Sequence, residues 1–419
     1  MYKTLSIYGR PNLLKVCLYG FINGMGLLLS GNTLNFWLAN YGIDNKIIGL
    51  FACVSLPYAC KYFIAFFIDK YQLPVLGGTI GSHRSWLIFS QIILVIILVT
   101  MSLLTPEHNL KLIALLAFLI ALFSVIQYVI LNGNRINILE IAEQGPGSAI
   151  YNIGYRIGMF LTGAGVIYIS SQISWSDIYR YLAIFYGILT IIVGYCYCET
   201  NKQPSSEKYS QNLLHDMLTI PLKHFAGYRN FSWVIFFTII YQISDSMLMT
   251  MLNPFLLHQH YNAVEIASAS KTVGVIMVVI GGFISGPMID RMGIKKSLLS
   301  FGIMHVGGHA LFIILSIIGK NMSCLYFVTG YVAFTGGMMT TAYLSFISGI
   351  SHGRNATVLY ALLSSMVGLS WMLFPAISGV LADRYDWLGF FTIITIISCA
   401  TTIFTWFMPA KIYQFYKDE

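Results

Sequence analysis

WLIFSQIILVIILVTMSLL, residues 86–104, has no charged side chain and is long enough to cross a lipid bilayer as one helix. A hydrocarbon core of about 30 Å requires about 20 apolar residues per helix. Apolar stretches of similar length recur on both sides of it. The predicted spans are 13–38, 47–68, 86–104, 112–131, 149–171, 178–198, 231–257, 266–289, 298–319, 323–349, 356–381 and 387–409. They predict an all-α polytopic membrane protein with twelve transmembrane helices.

The composition excludes an ordinary soluble domain, because 57% of the 419 residues are hydrophobic and only 10% are charged. No small-residue cleavage site follows the first apolar run, so we expect that span to be retained rather than removed as a signal peptide. The seven cysteines fall in or at the edges of spans without metal-ligand spacing. We therefore expect them to pack in the protein, and we expect neither a metal site nor a cofactor.

The net charge of +8 is distributed unevenly along the chain. With the amino terminus placed in the cytoplasm, 16 of the 24 Lys and Arg residues fall in inner loops and termini. These are Lys3, Arg10, Lys15, Lys70, Arg84, Arg135, Lys202, Lys208, Lys223, Arg229, Arg291, Lys295, Lys296, Arg354, Lys411 and Lys417. Only Lys46, Lys111, Arg180, Lys320 and Arg384 fall on the opposite side. This bias predicts cytoplasmic termini and basic loops that face lipid headgroups rather than nucleic acid.

An internal repeat divides the chain. The second span ends in Asp69-Lys70 and the eighth in Asp290-Arg291, and the two aspartates lie 221 residues apart. We therefore predict an amino-terminal six-helix half over 1–198, a cytoplasmic central loop over 199–230 and a carboxy-terminal six-helix half over 231–419. Two six-helix halves of this kind are typical of a secondary transporter.

Asp69, Lys70, Arg84, Asp290 and Arg291 are predicted to form a conformational latch at the cytoplasmic helix ends. Each half contributes an acid and bases, so ion pairs there could break when the halves rock. The alternative is that these charges only anchor helix ends at the membrane interface.

Charged side chains inside spans are costly and therefore mark functional candidates. Lys61, Arg156, Asp245 and Lys271 lie within predicted spans. Three bases against one acid would give a positive cavity that binds an anionic small molecule, with Arg156 as the main clamp for a carboxylate. The alternative for each is a structural ion pair, such as Asp245 with Lys271.

Neutral polar groups near these charges, including Tyr155 and Gln242, are further candidates for substrate binding. The sequence predicts no relay among four histidines of the second half. These four are His258, His260, His305 and His309, of which His309 is the one expected to be buried.

The order of motifs along nearly the whole chain resembles one branch of the major facilitator superfamily, the AmpG-type muropeptide permeases. The matching residues are Thr33-Leu34, Trp37, Ile43-Asp44, Ile48-Gly49, Tyr58, Lys61, Asp69-Lys70-Tyr71, Pro74, Arg84, Trp86, Gln127, Gly154-Tyr155-Arg156-Ile157-Gly158-Met159, Tyr241, Asp245, Lys271-Thr272, Gly336-Gly337-Met338, Ala356-Thr357, Ala361-Leu362-Leu363-Ser364 and Pro375. The resemblance implies the major facilitator architecture. It also implies an importer of anhydro-muropeptides in the cell inner membrane, driven by the proton gradient.

The chain departs from this family at the end of the fourth span. Tyr128, Asn132 and Asn137 stand where the family has aspartates, Arg135 replaces a lysine, and Gln242 replaces a lysine in the seventh span. Tyrosine and asparagine do not exchange protons near neutral pH. Coupling is therefore expected to be lost or to have moved to Asp245, the remaining carboxylate well inside a span. If Asp245 instead stays ionised in a salt bridge, we expect a facilitator or an exchanger.

Other functional classes have less support in the sequence than a transporter. An enzyme would be indicated by a clustered His, Asp, Glu or Ser-Lys set at membrane depth, and the sequence has none. An ATP-driven pump would be indicated by a Gly-x-x-x-x-Gly-Lys loop, which is also missing from the sequence. A membrane sensor without transport remains an alternative, as does a carrier of another organic anion, such as an acyl-CoA ester, or of small peptides. We expect a monomer.

Overall fold

The computed structural model describes residues 11–43, 51–73, 78, 80–197, 231–262, 265–266, 268–352, 356–409 and 412, apart from a few side chains. Helices account for nearly all regular structure in these ranges. The α-helices are α1 Pro11–Leu29, α2 Asn32–Asn40, α3 Leu56–Ala59, α4 Lys61–Lys70, α5 Ser82–Met101, α6 Pro106–Ile138, α7 Gln144–Phe160, α8 Val166–Ile169, α9 Trp175–Cys196, α10 Phe231–Ile240, α11 Ile243–His258, α12 Gly274–Met292, α13 Ile294–Ile318, α14 Met322–Ile350 and α15 Ala356–Phe407. The all-α membrane fold predicted from the sequence is confirmed.

The count of twelve spans is matched less closely. Within the described residues, nine helices or helix pairs are long and apolar enough to cross a membrane. In span 47–68, a 3-10 turn at Phe51–Ser55 precedes α3 and α4. Span 149–171 passes through a π turn at Leu161–Gly165. Span 356–381 shares α15 with the last span, and the chain changes direction there at Asp386, where φ is +54°. The predicted central loop, 199–230, lies outside the described residues.

The fourth span is longer than the sequence predicted. Polar residues after 131 suggested a cytoplasmic loop, yet α6 continues to Ile138 with Arg135 fully buried. The polar side chains find partners inside the protein: Asn132 donates to the Tyr151 hydroxyl over 3.0 Å, and Asn134 accepts from the Tyr19 hydroxyl over 3.0 Å. Because a satisfied polar group can be buried at little cost, the helix extends inward. Arg135 was therefore wrongly counted among the loop bases.

Helices α1 and α7 contact each other backbone to backbone. A Cβ atom added at Gly20 would lie 2.1 Å from the Tyr151 carbonyl oxygen, and one at Gly158 would lie 2.1 Å from that of Phe21. Small residues at these positions thus let the two helices pack in direct contact. Helices α12 and α14 meet in the same way, because a Cβ at Gly281 would lie 2.0 Å from the Phe334 carbonyl oxygen.

Hydrogen bonds between the amino-terminal helices (α1–α9) and the carboxy-terminal helices (α10–α15) cluster at one end of the bundle. They join Arg135 to Ser348, Asn152 to Thr341, Ser345 to the Gln144 carbonyl, and His352 to the Ile136 carbonyl. These residues lie toward the helix ends that the sequence places nearest the cytoplasm. The two sets of helices are therefore in contact at that end.

Candidate functional site

A cavity of about 410 Å³ lies between α7, α11, α12, α13, α14 and α15. Its wall is mostly apolar, with Leu248, Val275 and Phe312 among its lining residues. Arg156 and Asp245 are the charged residues that face it, and His305 lies beside Asp245. A mainly apolar cavity with a few convergent polar groups is typical of a small-molecule site.

Asp245 is buried and bound to a histidine that the sequence analysis did not select. Its Oδ1 atom lies 2.6 Å from His305 Nε2. The other ring nitrogen, Nδ1, lies 2.8 Å from Thr335 Oγ1. A carboxylate on α11 and a hydroxyl on α14 thus fix the orientation of an imidazole on α13.

His309 lies one helical turn further along α13 and faces the same group. Its ring centroid is 4.6 Å from that of His305, and its Nε2 is 3.9 Å from Asp245 Oδ1. Nδ1 lies 3.2 Å from Ser398 Oγ, whereas Nε2 is buried without a hydrogen-bond partner in the part of the chain that the structure describes. The expectation that His309 is buried is confirmed. The structure also places His309 and His305 together beside Asp245, a grouping that the sequence analysis did not name.

Asp245, His305 and His309 also have the donor types of a metal site, and their ligand atoms all lie within 4.8 Å of one another. Two ligands on one tetrahedral zinc ion are about 3.3 Å apart. The 2.6 Å separation of Asp245 Oδ1 and His305 Nε2 is shorter and matches a hydrogen bond between them. The geometry described here therefore fits a shared proton better than a shared metal ion.

Arg156 lies on the other side of the cavity, on α7, and is partly buried. Among the residues that the structure describes, no carboxylate forms an ion pair with it. A guanidinium that is not neutralised and that borders a cavity is able to bind an anion through two parallel hydrogen bonds.

Lys61 and Arg135 lie among tyrosine rings instead of acids. Lys61 Nζ is 4.5 Å from the centre of the Tyr128 ring. The Arg135 guanidinium lies 4.9 Å from the Tyr151 ring and 5.5 Å from the Tyr360 ring. Arg135 also donates to Ser348 over 2.7 Å and to Ser148 over 3.3 Å. Its Nε atom is buried and has no hydrogen-bond partner among the described residues. The structure thus groups two cations with neutral aromatic side chains.

The remaining predicted substrate residues are dispersed. Tyr155 stacks on Tyr151 with ring centres 6.2 Å apart, next to the tyrosines around Arg135. Gln242 lies in the break between α10 and α11 and accepts from Trp371 Nε1 over 3.0 Å. The side chain of Lys271 lies outside the described part of the chain, so its pairing with Asp245 stays a prediction.

The predicted latch residues lie at helix ends. Asp69 contacts His83 on the next helix, with Oδ1 and Nε2 2.6 Å apart. Arg84 donates to the Gly194 carbonyl, and Lys70 Nζ is 5.9 Å from the Tyr71 ring. Asp290 and Arg291 are both exposed at the end of α12. The observed partner of Asp69 is therefore a histidine of its own set of helices, which the sequence analysis did not name.

A simple signal for the Asp245 group was present in the sequence. His305 and His309 are four residues apart, which places both on one face of a helix. Taken singly, neither histidine indicates a site. The signal lies in their common helix face together with Asp245 on another span. Only the packing of α11 against α13 brings the three side chains together.

Comparison with known proteins agrees with this architecture. Residues 16–359 match the model of the Major Facilitator Superfamily. A Rickettsia conorii protein named AmpG 1 is 36% identical over 91% of this chain and 94% of its own length. The anhydromuropeptide permease of Escherichia coli K12 is 26% identical over 92% of this chain and 77% of its own.

The fold is also that of a solved transporter. The human organic anion transporter MFSD10 (TETRAN) superposes with a TM-score of 0.71 at 12% identity, covering 94% of this chain and 99% of that one. The match to the superfamily model spans more than half of the chain, and the AmpG relatives match nearly all of it. The chain is therefore a multi-pass membrane protein of the major facilitator superfamily and belongs to its AmpG-type transporters.

Proposed function

We propose that this transporter imports an anionic amphiphilic solute of the anhydromuropeptide class across the bacterial inner membrane by alternating access. The observation that carries the proposal is Arg156, a cation that borders the cavity with no carboxylate paired to it in the described part of the chain. The name of the Escherichia coli relative supplies the substrate class.

Burial of an unpaired cation has a free-energy cost that an anionic ligand can offset. Lys61, Arg135 and Arg156 share this condition among the described residues. Tyrosine rings attract a cation through their π faces without neutralising it, so the positive charge remains available. A path lined by such cations favours solutes with carboxylate or phosphate groups and disfavours cationic ones.

The contacts between the amino-terminal and carboxy-terminal helices support alternating access. They lie toward the helix ends that the charge bias assigns to the cytoplasm. A transporter closed at that end would load its solute from the periplasm. Rocking of the two helix sets would then break the Arg135–Ser348 contact and open the cytoplasmic side. Asp69, Lys70, Arg84, Asp290 and Arg291 are proposed to control this step.

Asp245 is the proposed site of proton coupling. It is a buried carboxylate on the wall of the same cavity as Arg156. Ionisable groups at membrane depth commonly mark proton pathways. A proton bound there would raise the positive charge of the cavity when the anion enters.

Uptake into proteoliposomes tests the proposal. Purified protein is reconstituted and supplied with a radiolabelled anhydromuropeptide, an acyl-CoA ester or a neutral disaccharide, each with and without an inward proton gradient. We expect accumulation of the anhydromuropeptide that requires the gradient and that Arg156→Gln abolishes. Uptake of the acyl-CoA ester alone would assign another anion, and binding of the muropeptide without any flux would assign a sensor.

A further inference from the structure

The hydroxyl of Thr335 lies between His305 and a backbone carbonyl. Thr335 Oγ1 is 2.8 Å from His305 Nδ1 and 3.0 Å from the Tyr331 carbonyl oxygen. Its single proton can go to either neighbour, and when it goes to the carbonyl, the oxygen accepts from a protonated His305 Nδ1. In that form His305 Nε2 is the ring nitrogen that faces the carboxylate.

The short contact between Asp245 and His305 requires a proton between the two groups. Two bare acceptors, a carboxylate oxygen and an unprotonated Nε2, would repel each other at the observed 2.6 Å. With Nδ1 unprotonated, this is a carboxylate beside a neutral imidazole. With Nδ1 protonated as well, it is the proton-loaded form of the pair, which holds one proton more.

His309 provides a second position for that proton. Its Nε2 is buried, has no hydrogen-bond partner among the described residues and lies 3.9 Å from Asp245 Oδ1. A movement of about 1 Å would bring it within hydrogen-bond distance. The bond from the shared proton to the Asp245–His305 pair would then break as a bond to His309 Nε2 forms, leaving a carboxylate, a neutral His305 and an imidazolium.

We propose that Asp245, His305 and His309 form one proton-binding network, and that its loading permits an anion to bind at Arg156 across the same cavity. This deepens the proposed function and rests on it for the identity of the transported solute. With one proton on the network, the network and Arg156 together have a formal charge of +1. Without it they sum to zero, so the anion is released. One proton is therefore expected to accompany each solute molecule.

Neighbouring helices also present polar and charged groups to this network. Helix α14 contributes the Thr335 hydroxyl and α15 the Ser398 hydroxyl, neither of which titrates near neutral pH. Helix α7 contributes Arg156 across the cavity. Among the described residues, the titratable side chains beside Asp245 are His305 and His309, and the side chain of Lys271 lies outside the described part of the chain. The network therefore has one acid and two bases within hydrogen-bonding reach or about 1 Å beyond it.

The first test needs no solute. Solid-state nitrogen NMR of histidine-labelled protein in lipid bilayers should show one imidazole with a strongly hydrogen-bonded proton on Nε2, assigned by its loss in His305→Gln. Asp245→Asn should shift this signal, whereas Thr250→Val should leave it in place. Thr250 is a matched control, since its hydroxyl bonds the Ser246 carbonyl on α11. A His305 signal that is identical in Asp245→Asn and the parent would overturn the network.

The second test measures anion binding against pH with a labelled anhydromuropeptide. Affinity of the parent should fall as pH rises and the pair loses its proton. In Asp245→Asn, which is neutral at every pH, affinity should become independent of pH, and exchange should continue while gradient-driven accumulation stops. The parent's pH dependence persisting in Asp245→Asn would contradict the proposal.

The third test separates His309 from the pair. His309→Gln should keep pH-dependent binding and solute exchange but lower gradient-driven uptake about tenfold. Exposed His258→Gln serves as the control with unchanged uptake. Gradient-driven uptake equal to that of the parent in His309→Gln would remove His309 from the network. If the parent binds no anhydromuropeptide, the proposed solute is wrong, and the NMR result still decides the network.

Discussion

Two groups of buried charges in this transporter are compensated in opposite ways. Around Asp245, a carboxylate on the carboxy-terminal helices contacts imidazoles, which can gain or lose a proton. Around Lys61 and Arg135, cations on the amino-terminal helices contact tyrosine rings and serine hydroxyls, which cannot. The first arrangement is able to hold a proton between its members, whereas the second surrounds its cations with neutral groups. In the proposed function, proton handling therefore belongs to the first group and anion attraction to the second and to Arg156.

Removing the histidine partner of Asp245 should have the largest effect on stability. His305→Leu leaves a buried carboxylate without its nearest partner, which costs on the order of 3–5 kcal/mol. The apparent melting temperature in detergent should fall sharply. The double variant Asp245→Asn/His305→Leu should recover much of the loss, because it buries no charge. If His305→Leu melts like the parent, the pair is not a stabilising unit.

Removing the cation that faces the cavity should act on binding instead. Arg156→Gln should weaken binding of an anionic solute about a hundredfold, equivalent to about 3 kcal/mol, as expected for loss of one partner of a desolvated charge pair. Arg156→Lys keeps the charge without the paired donors and should lose about tenfold. Isothermal titration calorimetry measures both. Equal affinity of Arg156→Lys and the parent would indicate a structural role.

The tyrosine-surrounded cation should respond differently from Asp245. Lys61→Met removes a buried charge that has no acidic partner among the described residues, so it should leave stability unchanged or raise it by about 1 kcal/mol. Solute uptake should nevertheless fall. Lys111→Met, at an exposed position, is the control for the substitution itself. Strong destabilisation by Lys61→Met would mean that Lys61 is a structural cation, and the contrast with Asp245 would then be lost.

The smallest effects are expected at the helix ends. Asp69→Asn removes the charged partner of His83 and should slow transport about three- to fivefold, as expected for a partly exposed pair, with insertion and abundance nearly unchanged. Asp290→Asn should also slow transport. Initial rates in proteoliposomes check both variants, and normal rates would leave these residues as membrane anchors.

Hydropathy was enough to predict the membrane fold because each span must satisfy its own backbone within a helix. The end of α6 could not be predicted in that way. Asn132 and Asn134 look like loop residues until Tyr151 and Tyr19, far along the chain, supply their partners. Arg156 and Asp245 were selected as lone charges at membrane depth, and the structure places both on one cavity. His305 acquires its role only from contacts with α11 and α14, which no local pattern specifies.

The glycine contacts between α1 and α7 and between α12 and α14 affect how the helices of the transporter could move. Gly20 and Gly158 leave no space for even a methyl group between α1 and α7, and Gly281 imposes the same limit between α12 and α14. We expect each pair to move as one rigid unit, because its two backbones are already in contact. Arg156 lies on the first pair and Val278 on the second, both on cavity walls. In the proposed alternating access, the tilt between the two pairs sets the volume available to a solute. A crosslink between the pairs should then stop transport, whereas one within a pair should leave it unchanged.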